Sequence, residues 1–245
     1  MPPTSLQQML AFITSPQNKF GVETWATLEL SIVPILLAIL IGVPLGIALA
    51  QRPIAAFIAT NTSGLVRAIP TLAVLAVLAV VPGIGIGFRP SVVALTLLGI
   101  PPILLNTITG LRSIDPATVD AARGMGMTRW QILSRVQLPL MAPVLAAGVR
   151  TAAVQIVATV PIAALIGGGG YGDYILLGLD NFQLTPLLVG GIGIAILALL
   201  TELLLAQAQR ALTPAGLRIA AVSDQAAEAS SGAASETAGS ASLAA

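Results

Sequence analysis

Chemistry in this chain has to come from very few side chains, and those are concentrated between Arg112 and Pro139. That stretch carries Arg112, Arg123, Arg129 and Arg135 with Asp115 and Asp120, in a sequence where only 9% of the residues are charged. No acid–base or nucleophile set is available from the usual sources, because the 245 residues include no cysteine and no histidine. A disulfide framework, a thiolate site and the commonest metal ligand are thereby excluded. The six glycine-rich positions Gly167 to Gly172 formally satisfy GxGxxG, but they follow a long apolar run rather than a strand, so the match is accidental. No G-x-x-x-x-G-K-[ST] exists either, so the chain has no loop with which to cradle nucleotide phosphates. What the charged stretch can do is make contact and carry force.

Its local grammar supports that. Asp115-Pro116 reads as an N-cap with proline at the first helical position, where the missing N–H costs nothing. Gly124 and Gly126 bracket a break. Thr128 to Gln131 has the spacing of a capping box, which predicts a second short helix ending at Leu138, the residue that Pro139 restricts. Helix, glycine turn, helix is the expected product.

The elements that must position this stretch are apolar. Hydrophobic residues make up 56% of the chain and the mean hydropathy is +0.95, far from the roughly 25% charged residues of soluble domains. An all-α polytopic membrane protein follows. Five spans are expected: Trp25 to Ala50, part of Ile54 to Val81, Ser91 to Leu111, Met141 to Ile166 and Thr185 to Gln209, each near the roughly 20 residues that a bilayer core requires. Residues 1–23 form an extracytoplasmic N-terminal segment without the features of a signal peptide. Residues 24–209 hold the membrane domain, with a loop at 112–139. Residues 210–245 form a tail, read as disordered from about 219 because Ala, Ser and Gly bury too little apolar surface to offset ordering.

Arginine placement sets the orientation. Arg52, the four arginines of the loop, Arg210 and Arg218 fall on one side, whereas Lys19 and Arg89 fall on the other. The positive-inside rule puts the N-terminus outside and the C-terminus inside. The charged loop is therefore cytoplasmic. A net charge of +1 gives no argument for nucleic acid.

Within the spans, Pro34 and Pro44 predict kinks, and Pro101-Pro102 predicts a break near mid-membrane. Asn61, Arg67, Pro101, Asn106 and Arg150 are candidates for a translocation path. Each also has a structural reading, as a polar stripe packed inside a bundle, a kink, or an arginine paired with an acidic group. Gly190, Gly191 and Gly193 open the last span to close helix approach. Glu202 is placed to meet a basic partner.

Asp120-Ala121-Ala122, Gly126 and Val136-Gln137-Leu138-Pro139 resemble the EAA loop of ABC importer permeases, with Asp for Glu and Val for Ile. Arg67 to Leu72, Asn106 to Leu111, Ala121 to Met127 and Gly148 to Ala152 are similar to the osmoprotectant branch, importers of glycine betaine, carnitine, choline and related compounds. The resemblance covers Trp25 to Gln209. It implies that Asp120, Ala121, Ala122, Gly124, Gly126, Trp130, Leu138 and Pro139 couple to a cytoplasmic ABC ATPase dimer, where ATP and magnesium act, this chain having no cofactor and no enzymatic activity of its own. It also implies a second permease, identical or paralogous, and an extracytoplasmic substrate-binding protein that holds most of the specificity. Tyr171, Asp173 and Tyr174 are then candidates for an outer gate or for docking that protein; a plain exposed loop is the other reading. Two alternatives are a permease for another small polar solute, and a self-contained secondary transporter using Glu29 or Glu202, although no internal repeat is evident.

Overall fold

Periodicity along the first long apolar run explains how the core assembles. Leu30, Pro34, Ala38, Gly42 and Gly46, spaced four residues apart, form the buried stripe of a helix spanning Phe20–Ala50. Residues this far apart share one helix face, and the stripe narrows from leucine to glycine, so the neighbouring helix comes closer along its length.

The computed structural model describes residues 5–212, with side chains described for all but 5, 65–67 and 212. Every regular element among them is helical: α1 (Ser5–Thr14), α2 (Phe20–Ala50), α3 (Pro53–Ala68), α4 (Thr71–Val80), α5 (Phe88–Arg112), α6 (Pro116–Gly124), α7 (Arg129–Ile132), α8 (Leu138–Thr159), α9 (Tyr171–Asp180) and α10 (Leu184–Leu212). A π turn at Leu133–Gln137 joins α7 to α8, and a 3-10 segment at Val160–Ile166 extends α8. The tail expected from about 219 lies outside the described residues.

Helices pack in the order α2, α5, α8, α10, α9, with α3 and α4 also against α5. One cluster joins Leu30, Val92, Leu95, Ile156, Val160 and Ala163; a second joins Ala38, Ile103 and Ala152. At the α5–α8 crossing a Cβ added to Gly148 would lie 2.5 Å from the Asn106 Cβ and 2.9 Å from the Pro102 carbonyl oxygen. Only glycine allows that approach.

Four segments are long and apolar enough to cross a membrane: Pro16–Ala50, Phe88–Arg112, Arg129–Ile166 and Leu184–Ala211. The expected second span is not one helix. It divides at Ile69-Pro70 into α3 and the shorter apolar α4, because Pro70 cannot donate and holds the residue before it out of the helical region.

Two other proline expectations are corrected. Pro101 and Pro102 lie inside an uninterrupted α5, both buried. Packing on α2 and α8 holds that segment in place, as neighbouring helices do for prolines in membrane helices. Nor does helix stop at Leu138. The wider π turn ends where the Pro139 ring would otherwise meet the Arg135 carbonyl four residues back, and helical structure runs on into the span.

Candidate functional site

The charged stretch folds as its spacing predicts. Asp115 caps α6, its Oδ1 accepting from the Ala117 N–H at 2.8 Å. At the other end the Gly126 N–H donates to Arg123 and the Met127 N–H to Ala122, at 2.9 and 3.2 Å. This is the Schellman pattern, with glycine at the left-handed position. Gly126 has φ +80°, so its role is conformational, and a Cβ there would meet nothing within 4 Å. The capping box is complete: Thr128 accepts from the Gln131 N–H at 3.4 Å while Gln131 Oε1 accepts from the Thr128 N–H at 2.8 Å.

This capped pair presents two faces. Ala122 and Ile132 are buried and turn inward. Asp120, Ala121 and Gly124 are exposed, and Met125 and Trp130 stand 75% and 73% exposed. Asp120 pairs with Arg123 at 2.9 Å on this outer surface. Ala121 is thus available for close approach to another molecule, whereas Ala122 supplies it within the chain. Trp130 borders two open grooves of about 650 and 630 Å³, one shared with Gln51, Val119 and Arg123, the other with Pro44, Ala48 and Leu138. Leu138 is half-buried in the second groove and Pro139 is exposed. Large apolar side chains inside a charged rim form the kind of surface that binds another protein.

The path candidates are not gathered in one cavity. Asn61 is exposed on α3, donates to the Phe57 carbonyl at 2.8 Å, and lines a groove of about 690 Å³ with Arg112 and Thr109. Pro101 is buried and Asn106 sits at the α5–α8 crossing. Arg150 reaches α10, where it pairs with Glu202 and donates to Gln209 at 3.4 Å. Arg67 falls in α3, and its side chain lies outside those described.

At the opposite end, Tyr171 and Tyr174 are 7% and 5% exposed and lie on α9, so the reading as a plain exposed loop is corrected for both. They pack with Phe12 and Phe20: the Phe20 ring stacks on Tyr171 at 5.6 Å, and Phe12 meets Tyr174 edge-on at 5.3 Å. The Tyr174 hydroxyl donates to the Asn18 carbonyl at 2.5 Å, and burial together with the Glu23, Tyr171 and Asp173 charges pushes it up to about 12. Asp173 remains exposed. Its carboxyl is raised above the ordinary range by partial burial and the neighbouring Glu23.

Sequence reasoning missed how this end is held. Glu23 Oε2 accepts from the Gly170 N–H at 2.7 Å, and Thr27 Oγ1 accepts from the Tyr171 N–H at 2.8 Å. Two side chains one turn apart on α2 therefore satisfy the free N–H groups that begin α9. The available signal was Glu23 and Thr27 four apart, but their partners lie more than 140 residues on. Gly190 and Gly193 do admit a neighbour, since Cβ atoms there would lie 2.6 Å from the Tyr171 carbonyl oxygen and 2.9 Å from its ring, whereas Gly191 faces open space.

A family described as binding-protein-dependent transport system inner membrane component matches residues 42–214. The glycine betaine/carnitine/choline transport system permease protein OpuCB of Bacillus subtilis is 34% identical over 213 residues, covering 87% of this chain and 97% of that one. The osmoprotectant import permease protein OsmW of Salmonella typhimurium is 38% identical over 187 residues, covering 74% and 86%. Among solved structures, a chain of the inward-facing MetNI methionine ABC transporter superposes with a TM-score of 0.71 at 24% identity, covering 82% of this chain and 100% of that one. That last likeness is one of fold.

Proposed function

The chain belongs to the family of binding-protein-dependent transport system inner membrane components, as a permease subunit of an ABC importer, and we propose that its cargo is a quaternary-ammonium osmoprotectant: glycine betaine, carnitine or choline. The names of its sequence relatives support that substrate class. It works as a multi-pass inner-membrane protein. Five crossings are supplied by α2, by α3 with α4, by α5, by α8 and by α10, with the N-terminus outside. Arginine on the ends of α5, α6 and α7 supports this orientation.

The mechanism rests on one observation, the unbroken helical run from α7 through the π turn into α8. A cytoplasmic ATPase dimer grips the Met125 and Trp130 surface, and its closure on ATP and magnesium displaces α7. Because α7 continues into α8, that displacement reaches the α5–α8 and α8–α10 contacts and favours one opening of the path over the other. A second permease completes the path, and an extracytoplasmic binding protein delivers the solute.

The experiment is co-purification from the native membrane, identifying ATPase, binding protein and any second permease, followed by ATP-dependent uptake of the three solutes into proteoliposomes. Uptake of at least one, abolished without the ATPase, is expected. Gradient-driven uptake by the purified chain alone would overturn the reading.

A further inference from the structure

We propose that Arg150 and Glu202 form a solute contact in the wall of the path, matched to a zwitterion that carries a carboxylate and a quaternary ammonium. This rests on the osmoprotectant reading above.

Both residues lie within spans, Arg150 in Arg129–Ile166 and Glu202 in Leu184–Ala211. They pair with each other, yet their side chains remain 37% and 33% exposed. Charged groups that open cannot face hydrocarbon without a large cost, and in membrane proteins they face protein or a water-filled cavity. The adjoining surface mixes polar side chains with Ala147, Val154 and Ala158. Thr151 is exposed and Gln155 half-buried, and with Arg150, Glu202 and Gln209 they line an open cavity of about 460 Å³. Leucines point from the far face of α10, with Leu200 and Leu204 exposed. On that geometry the leucine face suits lipid and the Arg150 face suits water.

The pair has the chemistry to trade partners. Arg150 offers a planar fork of donors that suits a carboxylate, and Gln209 steadies it, accepting from Arg150 at 3.4 Å while its own amide donates to the Pro143 carbonyl at 3.3 Å. Glu202 offers the counter-charge for an ammonium head. When the solute enters, its carboxylate takes the place of Glu202 on the guanidinium, and its ammonium takes the place of Arg150 on the Glu202 carboxylate. One ion pair is exchanged for two, and no charge is stranded. When the solute leaves, the residues neutralise each other again, which keeps binding weak enough for passage. A cation that lacks a carboxylate gains only the Glu202 half and leaves Arg150 without its partner.

The test uses the complete complex in proteoliposomes. Arg150→Gln is expected to lower glycine betaine and carnitine uptake at least tenfold more than it lowers choline uptake. A pair with a merely structural role would lower all three alike, and that result overturns the proposal, as does no change in any. If Arg150→Gln does not assemble, Arg150→Lys keeps the charge without the fork and is expected to shift the preference toward choline; loss of all three alike again overturns it. Because the chain contains no cysteine, a second measurement is direct. Thr151→Cys is expected to react with a water-soluble methanethiosulfonate at least tenfold faster than Leu204→Cys, and glycine betaine is expected to slow it. Equal rates overturn the proposal. Wild-type complex that imports none of the three solutes defeats the osmoprotectant reading and this inference with it; wild-type uptake with an unselective Arg150→Gln defeats this inference alone.

Discussion

The Glu23 carboxylate accepts a 2.7 Å hydrogen bond from the Gly170 backbone N–H, tying the start of α2 to the start of α9 across 147 residues of sequence. A cap supplied by another helix costs about as much to lose as a local one, on the order of 1 kcal/mol. Glu23→Ala is therefore expected to lower the midpoint of thermal unfolding in detergent by a few degrees. It should also increase hydrogen exchange at Gly170 and Tyr171 more than elsewhere. Unchanged exchange at those two amides would show that the cap does not hold α9.

Asp173 gives this end a pH dependence of definite sign. Its folded pKa is raised by partial burial and by Glu23, so the proton binds more tightly in the folded chain than in the unfolded one. Stability from this group is present at low pH and is lost as pH rises through the raised value. Asp173→Asn should remove that loss, making the variant the more stable at neutral pH and narrowing its advantage toward pH 4. A thermal series between about pH 3 and 7, which includes the ordinary carboxylate range, measures both.

Trp130 is 73% exposed, so Trp130→Ala should leave unfolding within about 0.5 kcal/mol of wild type, as for other surface changes. Affinity for the ATPase should fall at least tenfold, about 1.4 kcal/mol, as for an aromatic anchor at an interface. Pull-down of the ATPase across a titration reads the second quantity and calorimetry the first. Equal loss in both would make Trp130 a structural residue.

Gly126→Trp separates conformation from contact. At φ +80° any side chain is strained, although the space beyond is open. A cost of about 1–2 kcal/mol is expected locally, without loss of the membrane bundle. Substrate-stimulated ATP hydrolysis and uptake should nonetheless collapse in the assembled complex. Retention of both would remove Gly126 from the coupling element.

Gly148→Leu should prevent α5 and α8 from closing, since even a Cβ would sit 2.5 Å from the Asn106 Cβ. Overpacking of this kind commonly costs 1–3 kcal/mol per well-packed site, and backbone contact makes it worse. The expected outcome is loss of folded protein in detergent extracts; Asn106→Gly combined with Gly148→Ala should recover part of it.

Where the sequence was legible, the determinants were local. Asp115-Pro116, Gly126 and the Thr128–Gln131 box act within a few residues, and each folds as its spacing predicts. Proline was misread at Pro101-Pro102 and Pro139 for one reason: a missing N–H can be accommodated by packing or by a wider turn, and neither is visible in the flanking residues. The ring cluster of Phe12, Phe20, Tyr171 and Tyr174 was illegible because it joins segments more than 150 residues apart. Asp173 is exposed, but on helix α9 rather than on a loop, while its neighbours turn inward where α9 packs on α10.

The π turn at Leu133–Gln137 also fixes a phase angle. Each residue of an α-helix advances the direction of its side chain by about 100°, and a π turn accommodates one residue more than the α-helical count. Trp130 and Gly148 are thus clocked relative to each other: if this turn tightened to α-helix by shedding one residue into its flanks, the surface carrying Trp130 would rotate by about a quarter of a circle against the fixed α5–α8 crossing. Five residues with no charged contact of their own to another helix set the phase between the Trp130 surface and the α5–α8 crossing.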